Sequence, residues 1–138
     1  MAYWLMKTEP EEFSWDDQVR RGAKGEPWSG VRNFIARRNL KEMKKGEKFF
    51  FYHTGEEKQI VGIGEIIREA YPDPSAKKGV PWVAVTTAAL EALPTPVTLA
   101  AVKAEPKLKG MALAKYARLS VQPVTDSEWK QVCKMGGL

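Results

Sequence analysis

The chain has 138 residues, 43% hydrophobic and 28% charged, which is enough apolar side chain to bury a core and predicts one domain over 1–138. Its 22 basic and 17 acidic residues give a net charge of +5, a balance that suits a polyanionic partner. A single cysteine (Cys133) and a single histidine (His53) exclude internal disulfides, Cys/His zinc sites and haem-attachment motifs, and no run approaches the about 20 apolar residues of a membrane span, so a soluble, cytoplasmic protein without metal or cofactor is expected.

Tyr3 to Lys7 is short, aromatic and apolar, and Pro10 soon stops any ladder, which predicts a buried first strand. Ser14 before Trp15, Asp16 and Asp17 resembles a helix N-cap with acids in the first turn, for a short helix running to Arg20-Arg21-Gly22. Gly22, Gly25 and Pro27 then mark a loop. From Val31 to Met43 the apolar residues Val31, Phe34, Ile35, Leu40 and Met43 fall mostly three or four apart, with Arg32, Arg37, Arg38, Lys41 and Lys44 between them. That spacing predicts an amphipathic helix with a basic face, ended by Gly46. Lys48 to His53 (KFFFYH) is strongly β-prone and too short for a helix, which makes it a central strand. Gly55 turns the chain into its hairpin partner, Gln59 to Arg68, where Gly62 and Gly64 suggest a bend or a close backbone approach.

Tyr71-Pro72-Asp73-Pro74 reads as a fixed loop, because each proline removes a donor and restricts its predecessor. Trp82 to Leu90 predicts a strand, Pro94 and Pro96 punctuate, Thr98 caps a short helix through Lys103, and Lys107 to Lys115 gives a further helical segment. Ala117 to Gln122 alternates like a last strand before Pro123, and Thr125-Asp126-Ser127-Glu128 is a capping box opening a final helix to near Met135. About five strands and several short helices without βαβ regularity predict an α+β fold, a small mixed barrel or strongly curved sheet with helices packed outside.

Between Gln18 and Lys48 lie ten basic residues and three acids, so the positive charge belongs to one loop and helix. Such a patch either neutralises phosphates along a nucleic acid or is a solvated helix face. Trp28 sits inside it, in the turn-like Pro27-Trp28-Ser29-Gly30. An aromatic beside cations suits a splayed-out base, since stacking contributes about 1–3 kcal/mol per base; the alternative is that Trp28 caps the end of the barrel. Trp4, Trp15 and Trp129 fall in strand or helix patterns and belong to the core, whereas Tyr71 and Trp82 fit either role. His53, beside Tyr52, either binds a ligand or satisfies a loop carbonyl, and Asn33, Thr54 and Ser120 either read a base edge or cap a turn. Catalytic signals are poor. Cys133 has no nucleophile-like surroundings, Gly62-x-Gly64 lacks the third glycine of a dinucleotide site, and there is no P-loop.

Five blocks in order resemble the EVE domain, a member of the PUA-like superfamily that includes the thymocyte nuclear protein family: Tyr3 to Pro10 (YWLMKTEP), Trp28 to Phe34 (WSGVRNF), Phe51 to Thr54 (FYHT), Ala70 to Pro74 (AYPDP) and Arg118 to Pro123 (RLSVQP). Thr8 and Thr54 stand where serine is common in that family and Phe34 where tyrosine is common, swaps that keep the hydroxyl or the ring. The resemblance implies a PUA-like pseudobarrel of five or six strands with short helices around it, related to the YTH readers of methylated adenine. It also implies a pocket for a modified base, methylated or hydroxymethylated, from DNA or RNA. On that reading a flipped base is walled by Trp28 with Tyr71 or Trp82, lies against Val31, and is met at its edge by Lys7, Thr8, Asn33, Tyr52, His53, Thr54 or Ser120. Arg32, Arg37, Arg38, Lys41 and Arg118 would hold flanking phosphates. A methyl group against an apolar wall contributes on the order of 0.8 kcal/mol before packing and exclusion of water, so about ten- to a hundredfold discrimination is expected, by a monomer and without catalysis.

The competing reading is enzymatic. ASCH-type domains of the same superfamily resemble small amidohydrolases that use a Lys, a Thr and a Glu, and here Lys7, Thr8 and Glu9 or Glu65 supply those types. Adjacent strand residues point to opposite faces, so Lys7 and Thr8 share one pocket only across a bend.

Overall fold

The aromatic run Lys48–His53 forms a strand, β3, and every residue from Phe49 to His53 is buried. The computed structural model describes residues 1–138. β3 pairs in parallel with β1 (Tyr3–Thr8) and antiparallel with β4 (Gln59–Pro72). Antiparallel β5 (Val83–Thr98) follows β4 and carries a two-residue strand, β2 (Glu26–Pro27), on its far side. β6 (Val121–Val124) pairs antiparallel with β1, completing a six-stranded sheet ordered β2-β5-β4-β3-β1-β6. The two end strands do not pair with each other, so the α+β class is as read from the sequence, in the form of an open sheet rather than a closed barrel.

Both faces of the sheet are covered, which is why β3 has no polar face. Alternation along β1 sends Leu5 to a core with Phe50, Tyr52 and Trp129, under α3 (Leu99–Ala104), α4 (Ala112–Lys115) and α5 (Asp126–Met135). Trp4 and Met6 go to the opposite core with Phe49, Phe51 and Trp28, under α1 (Trp15–Arg20) and α2 (Phe34–Glu42). Phe49, Phe50 and Phe51 are fully buried, each contributing about 1.5–3 kcal/mol relative to exposure. The β4 glycines allow a close approach, as read: a Cβ on Gly62 would lie 2.6 Å from the Trp15 indole, and one on Gly64 would lie 2.4 Å from the Phe49 ring. No helix is long and apolar enough to cross a membrane.

The local start signals hold. Ser14 and Thr125 each form a capping box and Thr98 caps α3 through Ala101 N. Several boundaries move for tertiary reasons. α2 begins at Phe34, capped by Asn33, and its buried residues are Ala36, Asn39 and Leu40. Phe34 and Ile35, expected on the buried face, are 64% and 51% exposed, while Asn39 takes a core position by donating to Val121 O at 2.8 Å. β4 runs on to Pro72 and β5 runs through Pro94 and Pro96. The prolines are tolerated because the β4–β5 register jumps from Gly62↔Ala92 to Ile60↔Val97, leaving the intervening residues without ladder partners. β6 starts only at Val121 and includes Pro123, which an edge strand permits, so Ala117 to Ser120 is loop. The segment 107–115 splits into a 3₁₀ turn, Pro106–Leu108, and α4.

Two buried carboxylates tie segments together. Glu47 accepts from Trp4 Nε1 (2.9 Å), Lys44 N (2.8 Å) and Ala2 N (2.9 Å). Asp73 accepts from Ser75 N and Oγ (both 2.7 Å), Gly30 N (2.9 Å) and Arg32 Nη1 (3.0 Å). Burial opposes the charge on each, but these donors outweigh it and hold both carboxyls below their ordinary pKa. A carboxyl more acidic folded than unfolded lends stability that is complete above its unfolded value and is lost as pH falls through about 4 towards the folded value. Melting temperatures are therefore expected to hold steady from about pH 7 to 5 and to drop below about pH 4. A melting temperature unchanged to about pH 3 would uncouple these carboxylates from folding.

Candidate functional site

β1 ends at Thr8 between two neighbours, β3 and β6, and beyond that end lies a cleft of about 580 Å³. That volume falls within the about 300–1,000 Å³ typical of small-molecule sites. Its walls come from the turn after β1, from β2 and the loop to Arg32, from Thr54 just past β3, and from Ala117, Arg118 and Ser120 before β6. Lys7 and Thr8 both line it although they alternate across the sheet, because the cleft lies over the strand's end rather than on one face.

Lys7 Nζ lies 5.7 Å from the Tyr52 ring centroid and donates to Ala117 O (3.0 Å) and Tyr116 O (3.4 Å). No carboxylate pairs with it, and burial lowers its pKa. An ammonium has three donors, so one is left for a ligand. Thr8 Oγ1 donates to Phe13 O (3.1 Å), while Thr8 O accepts from Thr54 N (2.9 Å) and Thr54 Oγ1 (3.3 Å). Lys7 Nζ makes no hydrogen bond to Thr8 Oγ1, the contact an amine-activated hydroxyl needs. Glu9 lines the cleft; Glu65 sits in β4 opposite Lys48 and Ala88, outside it.

Trp28 lines the cleft but is not the open platform expected. It is only 7% exposed, with the rings of Phe51, Phe49 and Phe13 packed edge-on at 5.4, 5.8 and 6.3 Å. The cause is its backbone: Trp28 N donates to Val85 O at 2.7 Å, and the indole belongs to the core beneath α1 and α2. The half-buried Phe13, with the Arg21 guanidinium 5.7 Å from its ring centroid, supplies the other aromatic wall.

Of the remaining base-contact candidates, Val31, Thr54 and Ser120 line the cleft and five do not. Asn33 caps α2 through Ala36 N. Tyr52 is buried in the core under α5, where burial raises its pKa. His53 Nε2 accepts from Trp15 N at 3.0 Å, so Nδ1 carries the hydrogen and donates to Glu57 Oε1 at 2.9 Å, which lowers the Glu57 pKa. The histidine thus anchors α1. Tyr71 bonds Thr86 Oγ1 through its hydroxyl (2.6 Å) under the Arg68 guanidinium, and Trp82 packs on Phe34 at 5.0 Å. An aromatic's type does not reveal its direction, and these two face elsewhere.

Among the phosphate candidates, Arg32 lines the cleft but pairs with Asp73, and Arg37 donates to Pro81 O at 3.2 Å. Lys41 is exposed on α2 away from the cleft, Arg38 lines an adjacent groove, and Arg118 lines both cavities. The cleft rim carries Glu9, Glu12 and Glu26 as well as its cations, with Arg21 paired to Glu26 at 2.8 Å. Phe13 and Ser29 were not foreseen in the cleft. Phe13 reads as the residue before a helix cap, and Ser29 as turn filler.

An open mixed sheet covered on both faces by helices, with one polar-rimmed, aromatic-walled cleft across the end of an inner strand, defines a small α+β binding domain. The EVE domain model matches residues 2–135, and the chain belongs to that family. Human thymocyte nuclear protein 1 is 34% identical over 97% of this chain and 73% of its own length. The crystal structure of human THYN1 protein in complex with 5-methylcytosine containing DNA matches at TM-score 0.92 and 33% identity, covering 100% of this chain and 99% of that one. The NMR structure of Rpa0253 from Rhodopseudomonas palustris matches at TM-score 0.93 and 60% identity, covering 99% and 94%. The YTH domain of Zygosaccharomyces rouxii MRB1 protein, solved in complex with N6-methyladenosine RNA, shares the fold at TM-score 0.59 and 14% identity, covering 99% and 87%.

Proposed function

We propose that this chain is a non-catalytic, cytoplasmic nucleic-acid reader that admits one flipped modified base, methylated or hydroxymethylated, into the cleft at the end of β1. The carrying observation is Lys7: a carboxylate-free ammonium at the cleft wall, held by two main-chain carbonyls, with one donor left for a base oxygen or ring nitrogen. Phe13, Val31 and the visible edge of Trp28 give the apolar wall a methyl group needs, and the Ser120 side chain has its hydroxyl available for a base edge. The human relative's complex with 5-methylcytosine DNA supports the ligand class. The hydrolase reading lacks its contact between Lys7 and the Thr8 hydroxyl.

The test is a fluorescence-anisotropy panel at fixed salt, using oligonucleotides that differ only in one base: cytosine, 5-methylcytosine, 5-hydroxymethylcytosine, adenine or N6-methyladenine. One modified member is expected to bind about ten- to a hundredfold tighter than its parent. Lys7→Met is expected to weaken that member by about tenfold, the worth of one charged hydrogen bond. Equal binding of all five would end the proposal, as would turnover of an acylated nucleoside by the purified protein.

A further inference from the structure

Beside the cleft, between α2 and the segment from Ala112 to Leu119, runs a second groove of about 610 Å³ that shares Ala117 and Arg118 with it. We propose that this groove holds the nucleotide adjoining the flipped base on the same strand, stacked on Tyr116, with Arg38 and Arg118 on its phosphates. This rests on the reader proposal above.

Three observations favour a nucleotide here. Two arginines line the groove and no carboxylate does; neither arginine makes an ion pair or a side-chain hydrogen bond. By contrast Arg20, Arg21 and Arg32 are paired with carboxylates, Arg37 donates to Pro81 O and Arg68 lies over the Tyr71 ring. Two exposed cations in a groove without a carboxylate of its own suit a polyanion and disfavour a cationic or purely apolar occupant. Secondly, Tyr116 is 57% exposed and Ile35 is 51% exposed on opposite sides of the groove. An exposed aromatic ring flanked by guanidinium groups stacks a base without regard to sequence, and an aliphatic side chain opposite covers a sugar or ring edge. Thirdly, the platform is anchored to the cleft. Tyr116 O accepts both Lys7 Nζ (3.4 Å) and Gln122 Nε2 (3.1 Å), so the main chain carrying this ring is held by the lysine that lines the cleft. The order cleft, Lys7, Tyr116, groove is the order in which a strand would lay down two successive nucleotides.

The experiment compares the full chain with Tyr116→Ala and Arg38→Gln, both at exposed positions, against two probes. One is 5-methyl-2′-deoxycytidine, which fills only the cleft; the other is a single-stranded hexanucleotide containing that base. Tyr116→Ala is expected to weaken the hexanucleotide by about tenfold and to leave the nucleoside within about twofold. Arg38→Gln is expected to reduce the slope of log K against log salt by about 0.7, the loss of one phosphate contact on a single strand. If both variants bind the hexanucleotide like the parent, or if Tyr116→Ala weakens both probes equally, the groove is not a nucleotide site. If the parent binds this hexanucleotide no better than the same hexanucleotide carrying unmethylated cytosine, included as a third probe, the cleft reading falls while Tyr116→Ala still decides the groove. Absence of any binding by the parent overturns both.

Discussion

A Gly25→Ala variant is expected to unfold with about 2–4 kcal/mol less free energy than the parent, the largest loss from any single added methyl in this chain. Gly25 has φ +70° and ψ −168°, a region open in practice to glycine alone, and a Cβ there would lie 2.3 Å from Thr87 O and 2.7 Å from Ile67 Cδ1. Neither neighbour can step aside cheaply. Thr87 O is the acceptor for the buried Gln18 side chain at 3.0 Å, and Thr87 itself pairs with Glu26 in β2. The chain must therefore peel β2 off β5, which takes the Trp28 loop with it. Gly22→Ala is the matched control: φ is also positive, +56°, but nothing lies within 4 Å of the added carbon, so only about 1 kcal/mol is expected. Urea unfolding of the two variants checks the comparison, and equal losses would show that backbone conformation, not the collision with β5, sets the cost.

Replacing Asp73 by alanine is expected to have the second-largest effect, on the order of 3 kcal/mol in stability, together with a loss of nucleic-acid binding of at least about tenfold. Its fully buried carboxylate gathers donors from Gly30, Arg32 and Ser75, joining the Trp28 loop to the loop after β4. Without it, the Gly30 and Ser75 amides lose their acceptor and Arg32 its partner, although Arg32, 40% exposed, recovers some of its loss from water. Hydrogen exchange reports the difference directly. The Gly30 amide is expected to lose its protection in the variant while the amides of β3 keep theirs; protection retained at Gly30 would mean that this loop holds its shape without the carboxylate.

These two residues show what was legible in the amino-acid order. Asp73 and Pro74 lie in loop as the prolines suggested, whereas Tyr71 and Pro72, read as part of the same fixed loop, continue β4 because Ala84 and Val83 of β5 pair with them. The N-cap at Ser14, the capping box at Thr125 and the apolar run of β3 were readable for the same reason: each depends on chemistry within a few residues. What stayed hidden depends on partners far along the chain. Asn39 displaced Phe34 and Ile35 from the buried face of α2 only because Val121 O offers it an acceptor. Trp28 turned inward because Val85 O captures its amide. The cleft was half legible: Lys7, Thr8, Trp28, Val31, Thr54 and Ser120 do converge, whereas Tyr71, Trp82 and His53 had the right chemistry but point elsewhere. Ala117 and Arg118 join the cleft because β6 begins later than its alternation suggested.

The β1–β6 pairing, with Lys7 N donating to Ser120 O at 2.8 Å, has a bearing on biosynthesis. A strand made among the first ten residues waits for one made more than a hundred residues later, so closure of that long loop precedes the final wall of the cavity. Until Val121 to Val124 have left the ribosome the nascent protein lacks the last wall of the cleft, and nucleic acid near the exit tunnel meets only an unfinished edge.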